Sequence, residues 1–263
     1  MDSLVNYEAV EGIAKVVLNR PEKLNSLNRL MAEQLRSCLD QAGADESVRA
    51  VWLGGAGSAF CAGQDLKELT AEYGGAAADS VLRERFNPLI RVIRGMEKPV
   101  VCAVQGAAAG AGANLALACD LIMAGEDAYF LEPFCGLGLI PDSGGTYLLP
   151  RLAGLQRAAA MCFLGEKVPA EQALAWGLIY RVVPSDALRN ESLAVARKLV
   201  FMPATGLRLT KRALDQSLEN GLEAQLELEA ELQGHAGRTS EFREAVNAFL
   251  AKRKLASDRR GDG

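Results

Sequence analysis

Three segments of this 263-residue chain combine residue types that could do chemistry. Gly54 to Leu66 reads GGAGSAFCAGQDL, an apolar strand entering a turn crowded with glycine and alanine ahead of an acidic residue and a helix. Small residues let a ligand approach the backbone. Gln105 to Asp120, QGAAAGAGANLALACD, repeats the pattern, and a turn that opens a helix aims free N–H groups at one point. Two such turns could together hold a carbonyl oxygen as negative charge develops on it during enolate formation, an oxyanion hole. Each turn alone reads more readily as tight packing than as ligand binding, and neither matches a G-x-x-x-x-G-K-[ST] phosphate loop or G-x-G-x-x-G. The third segment, FLEPFCGLGLIPDSGG from Phe130 to Gly145, puts Asp142 in a turn after an apolar run. Burial there would raise its pKa toward the range where a carboxyl both takes and returns a proton near neutral pH. The competing reading is a helix cap for a helix starting near Ser143 to Thr146, and spacing alone favours it.

The elements that would position these groups alternate. Short β-branched runs at Ala14 to Leu18, Ala50 to Leu53, Val100 to Val104 and Leu121 to Met123 read as core strands. Asn28 to Ala42 reads as a helix, with Leu30, Met31, Leu35, Cys38 and Leu39 on one face. Strands alternating with helices argue for α/β layers. Past about Arg157 the strand signal fades. Helical spacing runs through Ala158 to Leu164, Ala170 to Trp176, Leu188 to Phe201 and Thr205 to Leu218, and after Asn220 and Gly221 it resumes from Leu222. The boundary is set at a core of 1–200 and a helical region of 201–263 that suits packing against another subunit.

Composition narrows the partners. With 29 Lys+Arg against 33 Asp+Glu the net charge is −4, and no basic stripe runs along the chain, which argues against nucleic acid. The six cysteines form no C-x-x-C pair and sit in apolar stretches, as in a reducing cytoplasm. The opening MDSLVNYEAVEG has neither a basic nor an apolar leader segment, so secretion is not expected. The uncharged stretch Pro99 to Cys119 is broken by Gln105, Asn114 and glycines and reads as strand, turn and helix rather than a membrane span. The single histidine, His235, lies on a late helix with no ligand-spaced cluster, so no metal is expected. Cys61 and Ser143 lack a nearby histidine, so nucleophilic hydrolysis is not expected either.

The FCAGQDL of Phe60 to Leu66, QGAAAGAG of Gln105 to Gly112, CDLIMAGEDAYF of Cys119 to Phe130 and GLIPDSGG ending at Gly145 resemble the crotonase (enoyl-CoA hydratase/isomerase) superfamily, and the similarity runs from about Val5 to Leu255. The resemblance implies an α/β fold of repeated ββα turns in a spiral. It also implies a C-terminal helical region for trimerisation, often doubled to a hexamer, and an acyl-CoA thioester as ligand. No separate cofactor is implied, since coenzyme A belongs to the substrate. Carried over by position, the oxyanion amides would be those of Gln64 and Ala111. Substrate contacts would fall at Lys23, Leu24, Ala62, Asp65, Leu66, Gly110, Phe249 and Lys252, with the acyl pocket drawing on Glu68 to Phe86.

The chain departs from the superfamily's hydratases where they place two glutamates: those positions are Asn114 and Phe134. Glu132 is two residues short of the second, its strand register is ambiguous across Pro133, and it is set aside. Asp142 in IPDSGG resembles the phenylacetate-pathway isomerases, which act on ring-epoxidised phenylacetyl-CoA and shift enoyl double bonds. One carboxylate suffices for such a shift. The expected activity is an acyl-CoA isomerase; the alternatives are a hydratase using Asp142 or Glu132, and a non-catalytic acyl-CoA binder.

Overall fold

The computed structural model describes residues 3–73 and 78–258, with the side chains at 69, 72, 73, 78 and 252–258 outside that description. The chain divides into two compact units, Met1–Val200 and Phe201–Gly263.

The first unit opens with a hairpin, β1 (Val5–Val10) and β2 (Ile13–Leu18), joined by Glu11 and Gly12, both at positive φ (50° and 76°). A two-residue turn of that hand matches the twist of the strands it joins. Then come α1 (Arg29–Ala44), β3 (Ala50–Gly55), α2 (Leu66–Tyr73), α3 (Ala78–Val81) and α4 (Asn87–Gly95). β4 (Val100–Val104), β5 (Ala107–Ala109), α5 (Ala111–Leu117), β6 (Leu121–Gly125) and β7 (Tyr129–Leu131) follow. The unit ends with α6 (Gly145–Ala153), α7 (Leu155–Leu164), β8 (Val168–Pro169), α8 (Ala170–Trp176), β9 (Arg181–Val183) and α9 (Leu188–Val200).

Among the described residues the main sheet runs β1-β2-β3-β4-β6-β9, antiparallel only between β1 and β2, and a smaller sheet runs β5-β7-β8. A parallel sheet covered on both faces needs apolar side chains at every position. Hence β3 and β4 read as unbroken apolar runs. Val51, Leu53, Val100, Cys102 and Val104 join the core that holds α1, α4 and α5, while Trp52, Val101, Ala103 and Met123 meet Leu188, Leu193 and Ala196 of α9 on the opposite face. Trp52 donates its indole N–H to the buried Ser192 hydroxyl at 2.8 Å, so the one polar atom it takes inside is satisfied. In α1, Asn28 caps the helix by accepting from the Met31 amide at 2.9 Å. That cap is worth about 1 kcal/mol, whereas burying each of Met31, Leu35 and Leu39 is worth about 1.5–3 kcal/mol, so packing dominates.

Strand pairing does not stop at Arg157. β8 and β9 lie beyond it, and β9 forms the sheet edge beside β6. Both are two or three residues long, too short for alternation to register, and main-chain bonds to strands already formed hold them.

The two Gly/Ala turns are locked together. Cys61 donates its amide to Ala107 and accepts from the amide of Ala109, and Phe60 donates to the Gln105 carbonyl. Gly112 of α5 presses on this ladder: a Cβ there would sit 2.3 Å from the Cys61 carbonyl oxygen. Asn25 anchors the first turn from beneath. Fully buried, it donates to the carbonyls of Ala56 and Ala59 and accepts from the amide of Arg20.

The second unit consists of α10 (Ala204–Gln216), α11 (Leu222–Gly237) and α12 (Ser240–Asp258), with Leu209, Leu228 and Leu232 forming its small core. Among the described residues no helix is long and apolar enough to cross a membrane.

Gly112→Ala is expected to cost about 1–3 kcal/mol through overpacking, read as a lowered unfolding midpoint, because the atom nearest the new Cβ is the Cys61 carbonyl oxygen, backbone that the strand ladder holds in place.

Candidate active site

The turn after β3 and the turn before α5 each present one amide with no hydrogen-bond partner among the described residues, those of Gln64 and Ala111. Their neighbours are bonded: Ala62 donates to Leu24, Asp65 to Leu27, and Gly110 to Leu131. Two free donors therefore sit where the turns meet. A Cβ placed on Gly63 would lie 2.7 Å from the Ala109 carbonyl oxygen and 3.6 Å from the Ala111 nitrogen. Converging amide donors are what an oxyanion needs.

Asp142 reaches the same region from the loop before α6. It does not cap that helix. Gly144 holds the cap position with no side-chain bond, and the amide of Gly145 donates to the main-chain carbonyl of Asp142 at 2.8 Å. Its carboxyl accepts at Oδ1 from the Ser143 hydroxyl at 2.8 Å, while Oδ2 has no partner among the described residues and stays accessible. Burial pushes its pKa up, tempered by the Ser143 bond. The loop is strained: Ser143 adopts φ +50° although it carries a side chain, a conformation costing on the order of 1–2 kcal/mol. Asn114 of α5 helps hold it, donating Nδ2–H to the Asp142 carbonyl at 3.0 Å.

The same Nδ2 donates to Glu132 Oε2 at 3.3 Å, which brings a residue set aside on sequence grounds into the centre of the site. Glu132 follows β7 and shares the inward side with Phe130, both wholly buried, with the half-buried Leu131 between them. Alternation carried straight past Phe130 would have found it. Burial, opposed by the Asn114 hydrogen bond and reinforced by neighbouring Asp142, pushes its pKa up to about 8. Phe134, the other hydratase position, is buried and packs toward Gly110.

The remaining residues expected at the site are scattered in role. Lys23 closes a short helical turn, and Leu24 follows it at positive φ with 46% exposure, beside Ala62. Leu66 is exposed at the start of α2. Asp65 is committed elsewhere: burial would raise its pKa, but the Arg20 guanidinium at 2.8 Å and the amides of Glu68 and Lys67 outweigh that and hold it low. Phe249 is exposed on α12 of the second unit. The side chain of Lys252 lies outside the described residues, as do residues 74–77 of the stretch expected to shape the acyl pocket.

Because the folded pKa of Glu132 lies above the ordinary 4.5, its contribution to stability is fully present below about 4.5 and is lost as pH rises to about 8. Unfolding midpoints of wild type and Glu132→Gln across that window should diverge in favour of the variant by on the order of a few kcal/mol, then level off. Parallel curves would show that Glu132 ionises normally.

A family model described as enoyl-CoA hydratase/isomerase matches residues 8–258. The chain is 48% identical to the 1,2-epoxyphenylacetyl-CoA isomerase of Escherichia coli (strain K12) over 245 residues, 92% of this chain and 94% of that one. It is 45% identical over 249 residues to a Rhodobacter capsulatus protein named "Probable enoyl-CoA hydratase", covering 95% of each. The crystal structure of an enoyl-CoA hydratase of Mycobacterium smegmatis superposes with a TM-score of 0.90 at 32% identity, covering 95% of this chain and 97% of that one. A fold of sheet and C-terminal helices shared along nearly the whole length, and a matching family model, make this chain a member of the enoyl-CoA hydratase/isomerase family, with the crotonase fold.

Proposed function

We propose that the chain is an acyl-CoA isomerase in which Asp142 carries the proton and the amides of Gln64 and Ala111 hold the thioester oxygen. The observation that carries this reading is the state of the carboxyls. Of the two carboxyls bonded around Asn114, Asp142 combines partial burial with an accessible oxygen and Glu132 is wholly buried, while the first hydratase position holds an amide already bonded to Glu132 and to the Asp142 main chain. An amide is no general base.

In this mechanism the ionised Asp142 removes a proton next to the thioester carbonyl. The two amides take up the charge that collects on the oxygen, and the protonated Asp142 returns the proton at a second carbon. For an enoyl thioester one C–H bond breaks and one forms; for a ring epoxide the carbon–carbon bond between the epoxide carbons also opens as the ring expands, so either reaction is an isomerisation that balances without water, oxidant or separate cofactor. The substrate would be a 3-enoyl-CoA moving to its 2-enoyl isomer, or a ring-epoxidised phenylacetyl-CoA opening to the oxepin; the likeness to the Escherichia coli epoxide isomerase supports the second. Water addition is disfavoured, because Glu132 is wholly buried and its Oε2 is taken by Asn114. Exposed apolar side chains on the first unit, Leu155, Phe163 and Leu164, and on the second, Phe201 and Leu222, support assembly with further copies into a trimer or hexamer.

Asp142→Asn should fold and bind a CoA thioester yet lose isomerisation by about 10²-fold or more, the usual worth of a positioned acid–base group. Wild-type turnover should decline as pH falls through the raised Asp142 pKa, because the base must be ionised. Assay of 3-enoyl, 2-enoyl and ring-epoxide CoA thioesters checks both. Full activity of Asp142→Asn, or rapid loss of the conjugated absorbance of crotonyl-CoA, would overturn the reading. Light scattering should give a mass three or six times the 28.0 kDa of one chain.

A further inference from the structure

Glu132 remains unexplained by the proton transfer. It is 0% exposed, has no ion-pair partner among the described residues, and its Oε1 accepts from nothing. Among the described residues one other buried atom of the site shares that condition, Asn114 Oδ1. These orphaned oxygens belong to two side chains already joined by Nδ2–H to Oε2. Two acceptors cannot satisfy each other, and each unpaired buried atom is costly. A single proton on Glu132 supplies the missing donor: a carboxylic acid facing a carboxamide gives O–H to Oδ1 in one direction and N–H to Oε2 in the other.

We propose that Glu132 works as a neutral carboxylic acid that locks the Asn114 amide, which in turn holds the Asp142 carbonyl, making Glu132 a positioning residue for the proton-carrying carboxylate. This role rests on Asp142 being that carboxylate. The groups facing Glu132 agree with a neutral state. Asn114 on α5 is uncharged; Asp142 on its loop is acidic; and Cys162 on α7, itself raised by burial and by Glu132, adds no positive charge. Without the acid, the Asn114 side chain loses its fixed rotamer. The strained Ser143 turn then keeps only the Gly145 amide to hold the Asp142 carbonyl. With an ionised Glu132, two buried acceptors oppose each other and a second negative charge stands beside Asp142.

Glutamine is the isostere of the protonated acid, able to donate to Oδ1 and accept from Nδ2 without titrating. Glu132→Ala should therefore lower kcat on the order of tenfold or more, with KM held within about twofold, as for a displaced catalytic group. Glu132→Gln should recover most of that loss, and its kcat should lack the decline that wild type shows as pH rises through about 8. Carboxyl ¹³C NMR of Asp- and Glu-labelled protein, assigned with Asp142→Asn and Glu132→Gln, reads both groups with no substrate. Glu132 should stay protonated to about 8, and below that pH the Asp142 resonance should move in Glu132→Ala but not in Glu132→Gln.

If no thioester is isomerised while the resonances behave this way, the isomerase reading fails and the positioning role stands. The inference is overturned if Glu132 titrates in the ordinary carboxylate range, if Asp142 is unmoved in Glu132→Ala, or if Glu132→Gln retains the alkaline decline.

Discussion

The rest of the site depends on the short ladder that ties the segment around Cys61 to β5. Cys61 bonds to Ala107 and Ala109 across a gap into which Gly112 fits only because it has no side chain. That ladder fixes where two separate turns end. It leaves one amide in each, those of Gln64 and Ala111, without a partner among the described residues. Backbone donors held by secondary structure need no reorganisation when charge develops in front of them, which is why such a pair outperforms donors on mobile side chains. The sheet beneath supplies the rigidity. β3 and β4 are covered on both faces, so neither strand can slide without exposing a row of apolar side chains.

The dry interior that makes the ladder stiff also sets the acid–base properties of the carboxyls. Asp142 and Glu132 both have raised pKa values, chiefly through burial, yet they are held differently. Asp142 keeps one oxygen accessible and leans on Ser143. Glu132 is sealed beneath, bonded to Asn114 alone. A carboxyl that must exchange a proton with a ligand needs access; one that must hold a shape needs none. The loop that carries Asp142 is under strain at Ser143, and the Asp142 carbonyl, which accepts from the Gly145 amide and the Asn114 side chain, counters that strain.

Much of this was legible residue by residue. The existence of α1 and the central strands followed from periodicity, because that signal is local, although Leu30, expected on the buried face of α1, is exposed and the Asn28 cap went unread. The glycine-rich turns were legible as well. β8 and β9 were not legible, since strands of two or three residues carry no period and exist only through the strands they join. Asp142 was ambiguous between cap and acid, and the positions of Gly144 and Gly145 settled that it caps nothing. Glu132 was set aside because Pro133 interrupts the alternation, whereas the structure buries it on the inward side it shares with Phe130 and bonds it to Asn114.

By itself the sequence determined the types of groups available: small residues at two turns, an aspartate before a glycine pair, and Asn114 and Phe134 at the two hydratase positions. Those are properties of a residue and its neighbours along the chain. Only the tertiary structure decided which of them meet. Asn114, Glu132 and Asp142 come from a helix, a strand end and a loop, 28 residues apart at their most distant bond, and the packing around all three leaves Asp142 partly exposed and seals Glu132 beneath it. Desolvation depends on everything packed around a group, so no reading of spacing could assign it.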